Sequence, residues 1–394
     1  MTSLCYIYLI MFKSGHYQSQ GSYKAFIPES INFDLELKDP QIPLLLSEAM
    51  RYLGELNAYS ELVPDINFFI KMHVAKEATV SSRIEGTKTN IEEAVKNREE
   101  ISLEKRDDWE EVQNYIKAIN YATDRLKTLP LSLRLINEVH KILLSGVRGY
   151  SKTPGEIRIS QNWISGDGLD INTASFVPPP AYIIGDLLSD LQKYWHNQDL
   201  VVPELVKIAI THYQFETIHP YLDGNGRIGR LLITLQLVNS KILSRPALYF
   251  SDYLEQNRSS YFDSLDRARK ANDIEQWIRF FFSGVAKTAR DAKDTLSNVV
   301  KLRSEYIDTI EKGVGIRRQA NTKMLLPHLF GKPVVSVLEV EKYLSVVTQT
   351  ANDLVKDLVR LGILSETTGK QKNRSFVLKS YLDLFTDHKR RKNG

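Results

Sequence analysis

One cysteine in 394 residues, Cys5, leaves no intramolecular disulfide to form and no cysteine cage for zinc. No run approaches the ~18 consecutive apolar residues of a membrane-spanning helix. No G-x-x-x-x-G-K-[ST] occurs, so any phosphate site is not a P-loop. Glycine (20) and proline (14) are too few for a collagen-like or low-complexity chain, and no internal repeat is visible. Charge of one sign is also scarce: 52 Lys+Arg against 48 Asp+Glu give +4, too little by itself to mark a nucleic-acid binder. What is present is ordinary for a soluble globular protein, 42% hydrophobic and 25% charged, at a length that suits roughly two to four domains.

The small charge is unevenly spread. The last 26 residues, Gly369 to Gly394, hold eight Lys/Arg against Asp383 and Asp387, so they carry +6 and leave −2 for the rest. At the other end, Leu4 to Phe12 resembles the apolar part of a signal peptide but lacks a basic start and a small-residue cleavage site. A cytoplasmic location with no membrane association is therefore expected, and Met11 is an alternative translation start to Met1.

Helical periodicity dominates the chain. Leu44, Leu45, Ser47, Met50, Leu53 and Leu56 recur at helical spacing, as do Trp109, Val112, Tyr115, Ile116, Ile119 and Ala122. Another helix is expected over Leu131 to Leu144. Gly149 to Pro180 differs: it holds Pro154, Gly155, Gly166, Gly168 and three consecutive prolines, with β-prone pieces at Glu156–Ile159 and Ser175–Val177, and reads as a hairpin excursion from a helical body. Pro203 opens a helix that must stop by His219, because Pro220 disfavours helical geometry in the residue before it. A helix from about Arg227 follows, and Tyr253 to Phe282 is expected to be helical again. Near the C-terminus, helices at Leu338–Tyr343 and Asn352–Leu361, then strands at Ile363–Glu366 and Ser375–Leu378 around a basic loop, describe a winged helix.

The connection His219-Pro220-Tyr221-Leu222-Asp223-Gly224-Asn225-Gly226-Arg227-Ile228-Gly229-Arg230 concentrates chemistry. A histidine sits at a forced helix end. Two glycines flank Asn225 and let backbone N–H groups crowd toward a ligand. A helix starts just after them, and its N-terminus attracts anions. Arg227 and Arg230, three apart on its first turn, can face the same anion. Asp223 adds a hard oxygen suited to Mg²⁺. Together these describe a polyphosphate site with a general base at its edge. Gly224-x-Gly226-x-x-Gly229 also fits the dinucleotide fingerprint, but that requires a preceding strand, and here a helix and His-Pro precede it.

This segment resembles the Fic family signature, H-P-F-x-[DE]-G-N-G-R-x-x-R, with Tyr221 in place of phenylalanine the one departure. Tyr17 to Pro28 is similar to the family's N-terminal region, and Leu254 to Arg258 with Trp277 to Phe281 resembles its later helices. The resemblance implies transfer of AMP from ATP to a Ser, Thr or Tyr hydroxyl of a protein. His219 would be the general base and Asp223 the Mg²⁺ ligand. Gly224, Asn225 and Gly226 would line the anion hole, Arg227 and Arg230 would hold the phosphates, and Asn257 would border the adenine. The Gly149–Pro180 excursion would be the family flap, aligning the target by strand addition. The Doc-like kinase branch carries lysine where this chain has Gly226, so the glycine favours AMP transfer.

Upstream, Ser81-Ser82-Arg83-Ile84-Glu85-Gly86 resembles the family's inhibitory motif, [ST]-x-x-x-E-[GN]. Ser81 and Glu85 share a helix face. A carboxylate reaching from Glu85 to Arg230 would occupy the arginine needed for the γ-phosphate. Two other readings stay open. One is a DNA-binding regulator that uses the core as a nucleotide sensor, with Lys370, Lys372 and Arg374 at the wing tip; the mixed charge of Asp353, Lys356, Asp357 and Arg360 on the candidate recognition helix favours protein contact or dimerisation over DNA. The other is removal of AMP, with Glu85 positioning water. The expected architecture is mainly α: a helical region carrying the inhibitory helix (1–100), a Fic-type bundle with a small β-hairpin flap (101–300) and a C-terminal winged helix (301–394). The expected partners are ATP and a target protein, with the chain itself and a second copy among the candidates.

Overall fold

The computed structural model describes residues 12–63, 66–164, 170–367 and 374–386. Expectations resting on Cys5, Met11, Gly166, Gly168, Lys370, Lys372 and the basic run 389–392 lie outside the described residues. The helices, in chain order, are α1 (Gln41–Leu62), α2 (Asn67–Ile84), α3 (Ile91–Ala94), α4 (Arg106–Arg125), α5 (Leu133–Leu143), α6 (Ile184–His196), α7 (Glu204–Ile218), α8 (Asn225–Asn239), α9 (Ser251–Gln256), α10 (Arg258–Ala271), α11 (Ile274–Gly313), α12 (Ile316–Gly331), α13 (Val337–Leu344), α14 (Thr348–Arg360) and α15 (Lys379–Leu382). The strands are β1 (Gly15–Ser19), β2 (Lys24–Pro28), β3 (Val334–Ser336), β4 (Ser365–Glu366) and β5 (Ser375–Val377). Among the described residues, no helix is long and apolar enough to cross a membrane.

α7 and α8 form the centre. Every residue of α7 after Glu204 is buried, and so is nearly every residue of α8, which fits their lack of a polar face. α1, α4, α5, α6 and α11 surround them in one apolar core. Trp277 of α11 is fully buried and donates its indole N–H to the carbonyl of Ala209 on α7 at 2.9 Å, which satisfies the one polar atom its burial would strand.

A second core joins the distal half of α11 to α12–α15 and to the three-stranded antiparallel sheet, in order β3-β5-β4. α11 passes through position 300 without interruption, and its 40 residues span about 60 Å at 1.5 Å per residue. α2 belongs to both cores: Phe69 and Met72 pack into the second, Val74, Ala78 and Ile84 into the first. The helix that carries Ser81 and precedes Glu85 is therefore gripped along its whole length.

Three expectations are revised. Tyr253–Phe282 is not one helix: it breaks at Asn257 and again at Asn272, which takes the left-handed conformation (φ 61°), after which Asp273 caps α11 by accepting from Gln276 N at 3.1 Å. Glu156–Ile159 forms no strand. In 149–180 the described strand contact is the antiparallel bridge Ile164–Phe176, while Val177 O accepts from Phe26 N of β2 at 2.9 Å. The two-stranded ladder lies instead at β1–β2, with Tyr17 opposite Phe26. Finally, Asp357 is 7% exposed and bonded to Arg318 at 3.0 Å, so it faces inward from α14 and does not contribute to that helix's outer charge.

Candidate nucleotide site

α7 ends because Pro220 follows it, and His219 takes the left-handed conformation (φ 50°, ψ 61°), unusual for a residue with a side chain. Such strain persists only where surrounding contacts impose it. Arg158 supplies them. Its guanidinium donates to the carbonyls of His219 (2.9 Å), Ser160 (3.0 Å), Pro179 (2.6 Å) and Ile218 (3.4 Å), and its own N–H donates to Pro220 O (2.9 Å). One arginine thus caps α7 and ties the 149–180 excursion to its end. Burial pulls its pKa down to about 10. Burial first, then Arg158, also lowers His219 to about 4, so the imidazole is neutral near pH 7 and able to accept a proton; its Nδ1 is buried without a partner.

The turn between α7 and α8 is held from three sides. Asn225 closes it on itself: its Oδ1 accepts from Tyr221 N and its Nδ2 donates to Tyr221 O, both at 2.8 Å. The amide expected to face an anion is therefore spent on the loop, and what this residue can offer a ligand is its backbone N–H at the start of α8. His140 stacks on Tyr221 at 3.8 Å and 10°. Its Nδ1 accepts from Gly155 N at 2.8 Å, which fixes the proton on Nε2, and Nε2 donates to Asp223 O at 2.9 Å. Burial, foremost, lowers His140 to about 4 and keeps it neutral for that role. Gly224 takes φ 79° against this ring, where a Cβ would stand 3.2 Å from His140 Nε2.

Arg227 is 1% exposed and paired with Glu111 of α4 at 3.0 Å and with Asp223 at 3.4 Å. Burial lifts the Glu111 carboxyl above its usual range, against the pull of Arg227 and Arg148. Asp223 remains about a third exposed, with Oδ1 accepting from Gly224 N at 2.6 Å. Among the described residues no group of three or more His, Cys, Asp or Glu could cage a metal. One partly exposed carboxylate beside a phosphate site nevertheless suits Mg²⁺, which keeps much of its shell from waters and substrate oxygens.

Arg230 is 2% exposed and its partners come from α2 and the residue that ends it. Nε donates to Ser81 Oγ and Nη2 to Ser81 O, each at 2.9 Å, and Nη2 pairs with Glu85 Oε1 at 2.7 Å. Burial works against the Glu85 carboxylate, but Arg230 outweighs it and holds the pKa below its ordinary value. A Cβ on Gly226 would lie 2.5 Å from Glu85 Oε1 and 2.9 Å from Arg230 Nη1. The carboxylate therefore stands over the first turn of α8, where the helix dipole and free N–H groups favour an anion. Behind Arg230, burial raises Glu216 to about 7 despite Arg230, and its Oε1 has no hydrogen-bond partner.

His219, Asp223, Gly224, Asn225, Gly226, Arg227, Arg230, Ser81 and Glu85 thus converge. Asn257 sits at the α9–α10 junction with its amide donating to Tyr253 O at 2.8 Å. α10 meets α7 through Tyr261, whose hydroxyl bonds His212 Nε2 at 2.9 Å, and through Arg269, whose Nε donates to Thr217 Oγ1 at 3.2 Å while its guanidinium lies 3.9 Å over the Phe176 ring. Glu111, His140, Arg158 and Glu216 are absent from the sequence reading. A lone Glu or His on a periodic helix gives no signal of its distant partner.

Residues 44–124 match the Fic/DOC family N-terminal model and residues 130–237 the Fic/DOC family model, which covers α7, the turn and α8 up to Leu237. The chain carries a Fic/DOC family domain. It is 27% identical over 202 residues to a probable protein adenylyltransferase of Aquifex aeolicus (50% of this chain, 56% of that one) and 27% over 237 residues to the protein adenylyltransferase Fic of Aedes aegypti (57% and 44%). It spans about half the length of these curated relatives. A Fic family protein from Desulfovibrio desulfuricans shares the fold with a TM-score of 0.56 at 20% identity, over 87% of this chain and 97% of that one. Fic-1 (residues 134–508) from C. elegans gives 0.50 at 19%, over 67% and 75%. The Fic fold here is mainly helical, with a small two-stranded hairpin and a small C-terminal sheet.

Proposed function

We propose that this Fic protein transfers AMP from ATP to a Ser, Thr or Tyr hydroxyl of a protein, and that Glu85 restrains it. The observation that carries the reading is the Glu85 carboxylate on Arg230, over the N-terminus of α8. It stands where a terminal phosphate would stand, and two anions cannot share one buried guanidinium.

The residues divide the work. The N–H groups of the first turn of α8 and the Arg227 and Arg230 guanidiniums neutralise and orient a triphosphate. Asp223 holds Mg²⁺, which when bound neutralises phosphate charge. Neutral His219 takes the proton of the incoming hydroxyl as its oxygen attacks the α-phosphorus and pyrophosphate leaves. Arg158 and Asn162, which donate to His219 O at 2.9 and 3.4 Å, keep the imidazole at the edge of the turn. Asn225 and His140 keep the turn itself in shape. Glu85 must leave Arg230 before the γ-phosphate can take its place.

We read α13, α14 and the β3-β5-β4 sheet as a winged helix used for contact with protein, the target or a second copy of this chain. The same Glu85 carboxylate, standing beside the phosphate nest, would also suit orientation of a water for AMP removal. One experiment separates the directions. A lysate treated with the Glu85→Gly variant and ATP·Mg²⁺ is analysed by mass spectrometry for AMP-bearing peptides. Transfer predicts new AMP-peptides that are lost with His219→Ala. Loss of pre-existing AMP-peptides on adding wild-type protein would favour removal.

A further inference from the structure

A second cleft, of about 460 Å³, opens between α2, α9 and α11, and no residue of 219–230 lines it. His73, Glu77, Tyr249, Tyr253, Glu255 and Lys287 are among its walls. Three of these carry a buried polar atom without a hydrogen-bond partner: His73 Nε2, Tyr249 Oη and Glu255 Oε2. Folded interiors leave few such atoms, and His73 and Tyr249 are only 8% and 5% exposed.

The open acceptor and the aromatic faces in the walls point to the ligand's sign. Three cations, Lys76, Arg83 and Lys287, face four carboxylates, Glu77, Asp252, Glu255 and Asp291. Lys76 is paired with Asp252 at 2.7 Å and Lys287 with Asp291 at 2.6 Å. Burial, reinforced by Lys76, pulls His73 down to about 3, so it adds no positive charge. Burial raises the Glu77 carboxyl, whose oxygens already accept from Tyr115 and Ser251, so the wall charges nearly balance; an acceptor left open is Glu255 Oε2, and the Tyr249 and Tyr253 rings add faces that attract a cation.

Glu77 links the cleft to the nucleotide site. Its Oε1 accepts from Tyr115 Oη at 3.1 Å and Ser251 Oγ at 2.5 Å, and its Oε2 from Ser251 N at 3.2 Å. One turn along α2, Ser81 holds Arg230. We propose that this cleft binds a small organic amine, which ties α2 to α9 and α11 and so holds Glu85 on Arg230. A ligand that contacts both walls binds only when α2 is docked, and it shifts the equilibrium toward that state by its differential affinity. The bracing rests on the reading of Glu85 given above; the binding does not.

Spermidine is the probe, titrated into the full chain by calorimetry at physiological salt. Saturable binding is expected, weakened at least tenfold by Glu255→Gln, which removes an acceptor charge, and by Thr288→Trp, which fills the cleft from α11. Over the same concentrations, AMP transfer by the wild type should fall, while Glu85→Gly still binds spermidine and transfers at an unchanged rate. No saturable heat with the wild type, or equal binding by both cleft variants, overturns the site, leaving it a place for water only. Binding that leaves the wild-type rate unchanged overturns the bracing. If no variant transfers AMP, the reading of the nucleotide site fails, and the calorimetry still decides whether the amine binds.

Discussion

Arg230 is held by three contacts from α2 and its C-cap: Ser81 Oγ, Ser81 O and Glu85 Oε1. They are unequal. All three draw on the guanidinium charge, for which a hydrogen bond is worth roughly 1.5–3 kcal/mol, but only Glu85 brings an opposite full charge. Ser81→Ala removes only the hydroxyl contact. It should raise AMP transfer by about tenfold at most, and by less than Glu85→Gly, when both are measured at one ATP concentration. Arg227 depends on Glu111 in another way. Both side chains are almost fully buried, at 1% and 2% exposure, so Glu111→Gln leaves a buried cation with only the longer Asp223 contact to balance it. Unfolding by urea should show a loss of about 3–5 kcal/mol, whereas a surface pair would cost under about 1 kcal/mol. The motif 219–230 was readable because its residues are contiguous and their spacing carries the chemistry. Glu111 was not, because it meets Arg227 from 116 positions away and nothing local marks it.

Among elements, the 149–180 excursion departs furthest from its sequence pattern. Ile157 and Ile159 suggested a strand by alternation, yet the residue between them decides the outcome. Arg158 turns inward to four carbonyls, and a strand would carry it away from the end of α7. Arg158→Lys keeps the charge but loses the planar fork that reaches several acceptors at once. It should release His219 from its strained conformation and lower the transfer rate, with ATP affinity nearly unchanged because no phosphate ligand has moved. A matching fall in ATP affinity, read by calorimetry beside the rate, would contradict this. The breaks at Asn257 and Asn272 were missed for a related reason. The apolar periodicity of α10 and α11 continues across them, and only the left-handed Asn272 and the Asp273 cap separate the two helices.

For the whole molecule, acid stability follows from its buried histidines. His73, His140, His212 and His219 are lowered to about 3, 4, 3 and 4 from an ordinary 6.5, mainly by burial. The unfolded chain binds protons at these groups near 6.5 and the folded chain resists, so stability is full above that pH and falls as the pH drops toward 4. Glu216 has the opposite sign: lifted to about 7 from 4.5, it stabilises most at low pH and loses that contribution as the pH rises through 7. Burial raises Glu77 and Glu111 in the same sense as Glu216, and the four imidazoles should still outweigh these carboxyls and make the thermal midpoint lower at pH 5 than at pH 7; a midpoint equal or higher at pH 5 would contradict this. The two-core placement of α2 also belongs to this scale, and no local pattern announced it. Its consequence is that Glu85 is presented by a rigid helix rather than a free loop, so removing one side chain should be enough to open the site. The decisive measurement is incorporation of label from α-phosphate-labelled ATP by wild type and Glu85→Gly under identical Mg²⁺ and ATP. Loss of the charged pair should raise incorporation by about tenfold to a hundredfold, abolished by adding His219→Ala. Equal incorporation by the two proteins would contradict the role given to Glu85.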